Sequence, residues 1–138
     1  MITGIGVDIV HVERMRHWRR IPGLLERYFH PHELSAALSR GRAEGNSAKG
    51  AAENNNAAEL SLAARFAAKE AYGKALGTGF EGIVLKDIMV NNRRNGRPEI
   101  QVFGTALAAL VKNGANRIHL SLTHERDNAV AMVVLEEV

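Results

Sequence analysis

The run Arg117-Ile118-His119-Leu120-Ser121-Leu122-Thr123-His124-Glu125-Arg126-Asp127-Asn128-Ala129-Val130-Ala131-Met132-Val133-Val134-Leu135 decides the fold class. Its first half alternates Ile118, Leu120 and Leu122 against His119, Ser121 and Thr123, and from Ala129 onward it is continuously apolar. Alternation marks a strand with one buried face, and two such runs across a polar turn make an antiparallel hairpin. A second hairpin precedes it: Asp87 to Asn92 and Glu99 to Phe103 read as strands joined through Asn95-Gly96.

Further outward, Ile2 to Val10 is apolar and β-branched, with Gly4 and Gly6 inside it, and reads as a buried strand. Helical spacing follows from His11 to Arg20 until Pro22-Gly23 breaks it, with a short turn from Leu24 to Phe29 and a helix opened by Pro31. Glu59 to Leu76, rich in Ala and ended by Gly77 and Gly79, is the longest helix. Thr105 caps a last helix to Lys112, stopped by Gly114. Gly41 to Asn56 holds almost no large apolar residue and is expected to be a mobile loop. The order predicts one α+β domain over residues 1–138, with a mixed, largely antiparallel sheet packed against one long and several short helices.

The chain has 138 residues, 46% of them apolar and 24% charged, which suits a soluble globular protein. Absence of Cys excludes disulfides, thiolate metal sites and a cysteine nucleophile, and fits the cytoplasm. Met1 to Asp8 lacks the form of a signal peptide, and no window approaches the roughly 18 apolar residues of a membrane span. Net charge is only +3, but Arg14, Arg16, Arg19 and Arg20 form one basic cluster and Arg93, Arg94 and Arg97 another. These are either solvated surfaces or sites for anionic ligands and acidic partners. One rival reading is a polyanion- or RNA-binding module. Against it, one Trp, two Tyr and four Phe are not interleaved with the arginines as base-stacking platforms would be, so no nucleic-acid partner is expected, and without a spanning window no membrane partner either.

Asp8, flanked by Ile5, Val7, Ile9 and Val10, must face solvent, cap the next helix or meet a cation, because an unpaired buried charge is costly. On the long helix, projection at about 100° per residue puts Leu60, Ala64, Ala67, Ala68, Ala71, Tyr72 and Ala75 on one side. Arg65, Lys69, Glu70 and Lys74 share the other with Leu62, Phe66 and Leu76, a mixture that predicts the wall of a site or interface. Glu70 is then either a ligand or the i,i+4 partner of Lys74. Gly77-Thr78-Gly79 reads as a helix cap more than a phosphate cradle, and His124, following the polar face of its strand, as a surface residue. No P-loop motif and no zinc-type His pair is present, while a hard cation with oxygen ligands remains open.

Taken together, Gly4-Ile5-Gly6-Val7-Asp8-Ile9-Val10, Phe66-Ala67-Ala68-Lys69-Glu70-Ala71, Lys74-Ala75-Leu76-Gly77-Thr78-Gly79, Asn95-Gly96-Arg97-Pro98 and Ser121-Leu122-Thr123-His124-Glu125 resemble the holo-acyl-carrier-protein synthases, the small phosphopantetheinyl transferases. The resemblance implies that Asp8 and Glu70 bind magnesium (Mg2+), completed by water and the pyrophosphate of coenzyme A. It implies attack by a serine of an apo acyl carrier protein on the β-phosphorus, releasing adenosine 3′,5′-bisphosphate, in support of fatty acid biosynthesis. Lys74 would steady the developing charge, and Glu70 or a water on the metal would take the serine proton. Lys69 and His124 would help hold the phosphates, Arg65, Asn95, Gly96 and Pro98 would lie near the nucleotide, and Gly77 and Thr123 count among the cofactor-binding positions. Arg14, Arg16 and Arg20 would receive the acidic carrier protein, and a homotrimer with sites at subunit interfaces is implied. Two departures stand out: His30 follows Phe29 where the family has Thr, and the 41–56 segment is long.

Overall fold

The computed structural model describes residues 1–43 and 56–138. The mobile loop expected at 41–56 thus lies, for residues 44–55, outside the described residues. Strand β1 (Ile2–His11) leads into α1 (Val12–Arg19), α2 (Leu24–Tyr28) and α3 (Pro31–Ala43). Helix α4 (Ala57–Leu76) follows, then a 3₁₀ turn at Leu85–Asp87, β2 (Ile88–Asn92), β3 (Pro98–Val102), α5 (Gly104–Asn113), β4 (Arg117–Glu125) and β5 (Asn128–Glu136). Both sequence hairpins are present, and every strand pairing is antiparallel. They form two sheets, a three-stranded one in the order β1-β5-β4 and the separate pair β2-β3.

Element ends have local causes. The ring Nδ1 of His11 accepts the Glu13 amide at 3.1 Å and caps α1. Gly77 closes α4 in the left-handed conformation at φ 81°, which its missing Cβ makes cheap. Thr105, by contrast, does not cap α5; the cap position is Phe103. The Thr105 amide and hydroxyl both donate to Asp87 Oδ2, at 2.8 and 2.6 Å, and so tie α5 to the 3₁₀ turn.

Helix α4 is the axis of the molecule. Most of the polar-and-apolar side expected to line a site, Arg65, Lys69, Leu62 and Phe66, is buried too, because α4 runs between the sheet and the layer formed by α1, α3 and β2, while Lys74 stays exposed. Leu62, Ala63, Ala67, Ala68, Ala71 and Tyr72 are all fully buried on it. Against them lie Val10, Ala129, Ala131, Val133 and Leu135, the inner face of the three-stranded sheet. β1 contributes glycines to that face. A Cβ on Gly6 would stand 1.9 Å from the Ala71 carbonyl oxygen, and one on Gly4 2.0 Å from that of Ala75. The strand therefore touches the helix backbone to backbone. On the outer face the same alternation leaves Ile5, Val7, Ile9 and Met132 exposed by 64, 56, 61 and 47%.

Candidate functional site

The glycine contacts bring the chemistry together. Asp8, two residues beyond Gly6 on the same inner face, arrives beside α4, where Glu70 and Lys74 stand one turn apart. Lys74 Nζ lies 2.8 Å from Asp8 Oδ1 and donates to the Val7 carbonyl at 3.1 Å. Arg14 of α1 reaches over the rings of Trp18 and Phe66, 5.0 and 4.9 Å from their centroids, to within 3.5 Å of Glu70 Oε1. A small cavity of about 230 Å³ opens at Glu70, Lys74, Gly79 and Phe80.

Asp8 and Glu70 are close enough to perturb each other. Burial raises the Glu70 pKa, the Asp8 carboxyl beside it raises it further through a hydrogen bond and its charge, and Arg14 and Lys74 oppose the rise. That hydrogen bond needs a shared proton; when both carboxyls are ionised, the buried Asp8 Oδ2 has no donor among the described residues. Such a pair is relieved by a shared proton or by a cation between the oxygens. The donor set fits a hard divalent ion that takes one or two carboxylates and completes its shell from water and phosphate oxygens. Among the described residues no group of three or more His, Asp or Glu gathers as a metal site. Asp8 in turn raises the Lys74 pKa, keeping the ammonium charged.

The second half of the site lies in the gap between β3 and β4, two strands that approach without pairing. A cleft of about 230 Å³ there is lined by Arg65, Gly96, Pro98, Leu122 and His124, among others. Four of the expected nucleotide-end and phosphate residues thus converge. Asn95 shapes the turn instead of lining the cleft: its Oδ1 accepts the Arg97 amide at 3.0 Å, while Gly96 adopts φ 82°. His124 is not on the polar face of β4. By parity it belongs with Leu120 and Leu122, on the helix side, and only its position at the strand end leaves it exposed. Thr123 faces the other way, toward Ile9 and Val130.

Other expectations need correction. Lys69 cannot hold phosphates in this conformation: its side chain is fully buried and its Nζ lies 2.7 Å from Glu33 Oε1. Its direction on the helix was right, but the opposing surface is protein. Gly77 is occupied as the cap of α4 and lines neither cavity. In the basic cluster Arg14 reaches Glu70, whereas Arg16 bonds Glu13 and Asn56, and Arg20 is exposed just past α1. The residues overlooked were Glu33 and the two glycines. The glycines had a signal: small residues two apart on a strand, opposite alanines four apart on a helix.

The 4′-phosphopantetheinyl transferase superfamily profile matches residues 4–133. A holo-(acyl-carrier-protein) synthase of Treponema denticola is 50% identical over 136 residues, covering 99% of either chain. The crystal structure of the Neisseria meningitidis holo-(acyl-carrier-protein) synthase superposes with a TM-score of 0.75 at 34% identity, covering 99% of this chain and 100% of that one. The Bacillus anthracis enzyme, solved in complex with CoA (3′,5′-ADP), gives 0.72 at 31%, covering 100% and 99%.

Proposed function

The chain belongs to the 4′-phosphopantetheinyl transferase superfamily, among its holo-(acyl-carrier-protein) synthases, and we propose that it moves phosphopantetheine from coenzyme A to a carrier-protein serine using magnesium held by Asp8 and Glu70. The observation that carries the metal assignment is the buried, donorless Asp8 Oδ2 beside a Glu70 carboxyl whose pKa is raised. When bound, magnesium would neutralise charge on the pyrophosphate oxygens.

The remaining work falls to alignment and charge. The serine oxygen forms a bond to the β-phosphorus, the bond to the bridging oxygen breaks, and adenosine 3′,5′-bisphosphate leaves with the electron pair. Either Glu70, on the wall of its cavity, or a water beside it would take the serine proton. Lys74, ionised and half exposed, turns from Asp8 toward charge developing on the phosphate. Arg65, Gly96, Pro98 and His124 hold the nucleotide end in the cleft between β3 and β4. Arg14 and Arg20 draw in the acidic carrier protein.

The exposed Ile5, Val7, Ile9 and Met132 support a subunit interface, since contiguous apolar residues on a sheet face call for a covering surface, and that the assembly is a homotrimer rests on family membership. No described helix is long and apolar enough to cross a membrane. Action in the cytoplasm on the carrier of fatty acid synthesis rests on family membership. The decisive assay incubates the protein with coenzyme A, magnesium and cognate apo carrier protein, then weighs the carrier by mass spectrometry. A gain of one phosphopantetheine is expected; an unchanged mass refutes the activity, and transfer undiminished by a chelator refutes the metal.

A further inference from the structure

Glu33 and Lys69 have no place in that reaction, yet they form the most completely satisfied polar cluster described in the molecule. Both side chains are fully buried. The ammonium of Lys69 donates to Glu33 Oε1 at 2.7 Å, Ile88 O at 2.6 Å and Leu85 O at 3.0 Å, which accounts for all three of its protons. Glu33 also accepts the amide of His30 at 3.0 Å and, through Oε2, that of Val90 at 3.1 Å. One turn before Lys69, Arg65 donates to the Val90 carbonyl and, through Nε, to Ser61 Oγ at 3.4 Å.

Stability alone is a poor account of such a cluster, because an apolar pair of the same volume commonly serves a core as well or better. What the cluster holds is more telling. Ile88 O, Val90 N and Val90 O are backbone groups of β2, a strand whose one strand partner is β3. Three charged side chains take the bonds that a strand on the other edge would make. β2 carries β3 with it, and between the two lies the turn that puts Gly96 and Pro98 opposite His124.

We propose that Glu33 and Lys69 are positioning residues that stand in for a missing strand, fixing the β2–β3 hairpin so that Arg65, Gly96 and Pro98 converge with His124 on the nucleotide. The proposal rests on the reading of that cleft as the nucleotide site. Its contribution is to donor affinity and leaves the chemical step at Asp8 and Glu70 intact. A fixed hydrogen-bonded edge gives the hairpin one register and one angle, where an apolar contact would let it slide.

The test compares the full-length protein with the paired variant Glu33→Leu, Lys69→Met, which leaves no buried charge unpaired. The KM for coenzyme A and the Kd for adenosine 3′,5′-bisphosphate should both rise about 10-fold or more, with kcat at saturating coenzyme A within about twofold. A lowered melting temperature with unchanged nucleotide affinity makes the pair merely stabilising and overturns the proposal, as does a fall in kcat with KM unchanged. His124→Ala is the control: nucleotide affinity unchanged there overturns the reading of the cleft and the proposal with it. Affinity weakened by His124→Ala but not by the paired variant overturns the proposal alone. Should the paired variant not fold, hydrogen exchange of the unmodified protein decides, slower exchange at the Val90 amide with adenosine 3′,5′-bisphosphate supporting the proposal and unchanged exchange overturning it.

Discussion

At Asp8 a single oxygen atom carries the metal reading, because Oδ2 has no donor among the described residues. Replacing Asp8 by Asn, or Glu70 by Gln, is expected to lower the rate of carrier modification by at least about 100-fold. The far-ultraviolet circular dichroism should be unchanged, and near-normal rates from either variant at limiting magnesium would remove the assignment. Tyr72 allows a separate test in alkali. Its hydroxyl donates to the Ala106 carbonyl at 2.8 Å, and burial pushes its pKa from 10.0 up to about 12. The folded protein keeps this proton where the unfolded chain releases it, so the contribution to stability is complete below pH 10 and is lost as pH rises toward 12. In Tyr28→Phe, which leaves one tyrosine, near-ultraviolet absorbance should titrate with a midpoint near 12; an ordinary midpoint would contradict the burial. Strand and helix periods singled out Asp8, Glu70 and Lys74 as anomalies with more than one reading, and only the family resemblance implied their roles. The setting of Lys69 was not legible, because the same periods say nothing of what lies opposite, and its partner Glu33 is distant along the chain.

Among the elements, the contact of β1 with α4 sets the separation of the two acids. Gly6→Ala would drive a methyl group into the Ala71 carbonyl, and only a shift of strand or helix relieves it. We expect a loss of about 1–3 kcal/mol in denaturant unfolding and a larger proportional loss of activity, since Asp8 moves with the strand. Activity that survives in proportion to the folded fraction would show that strand spacing does not control the site. The hairpins were readable from alternation and turn residues, and α4 from its alanines and terminal glycines. The division into two sheets was not, because it depends on β3 and β4 failing to pair. That failure opens the cleft at Pro98, which has no amide to give at the strand's first position. The reassignment of His124 is a lesson in parity: counted from Leu122 it belongs to the inner face.

Taking the molecule whole, the outer face of the three-stranded sheet is an exposed apolar surface. Val7→Glu, placed among Ile5, Ile9 and Met132, is expected to convert the proposed trimer to monomers in light scattering and to reduce carrier modification with it. A variant that remains trimeric would locate the subunit interface elsewhere. On the proposed function the two macromolecular approaches lie apart, the carrier protein at Arg14 and Arg20 of the α1 region and the second copy on the apolar face of the sheet. The trimer was not derivable from the residues, since alternation reveals an exposed apolar face without counting the copies that cover it. The seam at Gly4 and Gly6 has a genetic corollary. Because main chain meets main chain there, no trimming of a neighbouring side chain makes room for a new methyl group. In a selection that begins from Gly6→Ala, revertants should therefore restore glycine at the same codon, and suppressors elsewhere in the gene should be absent.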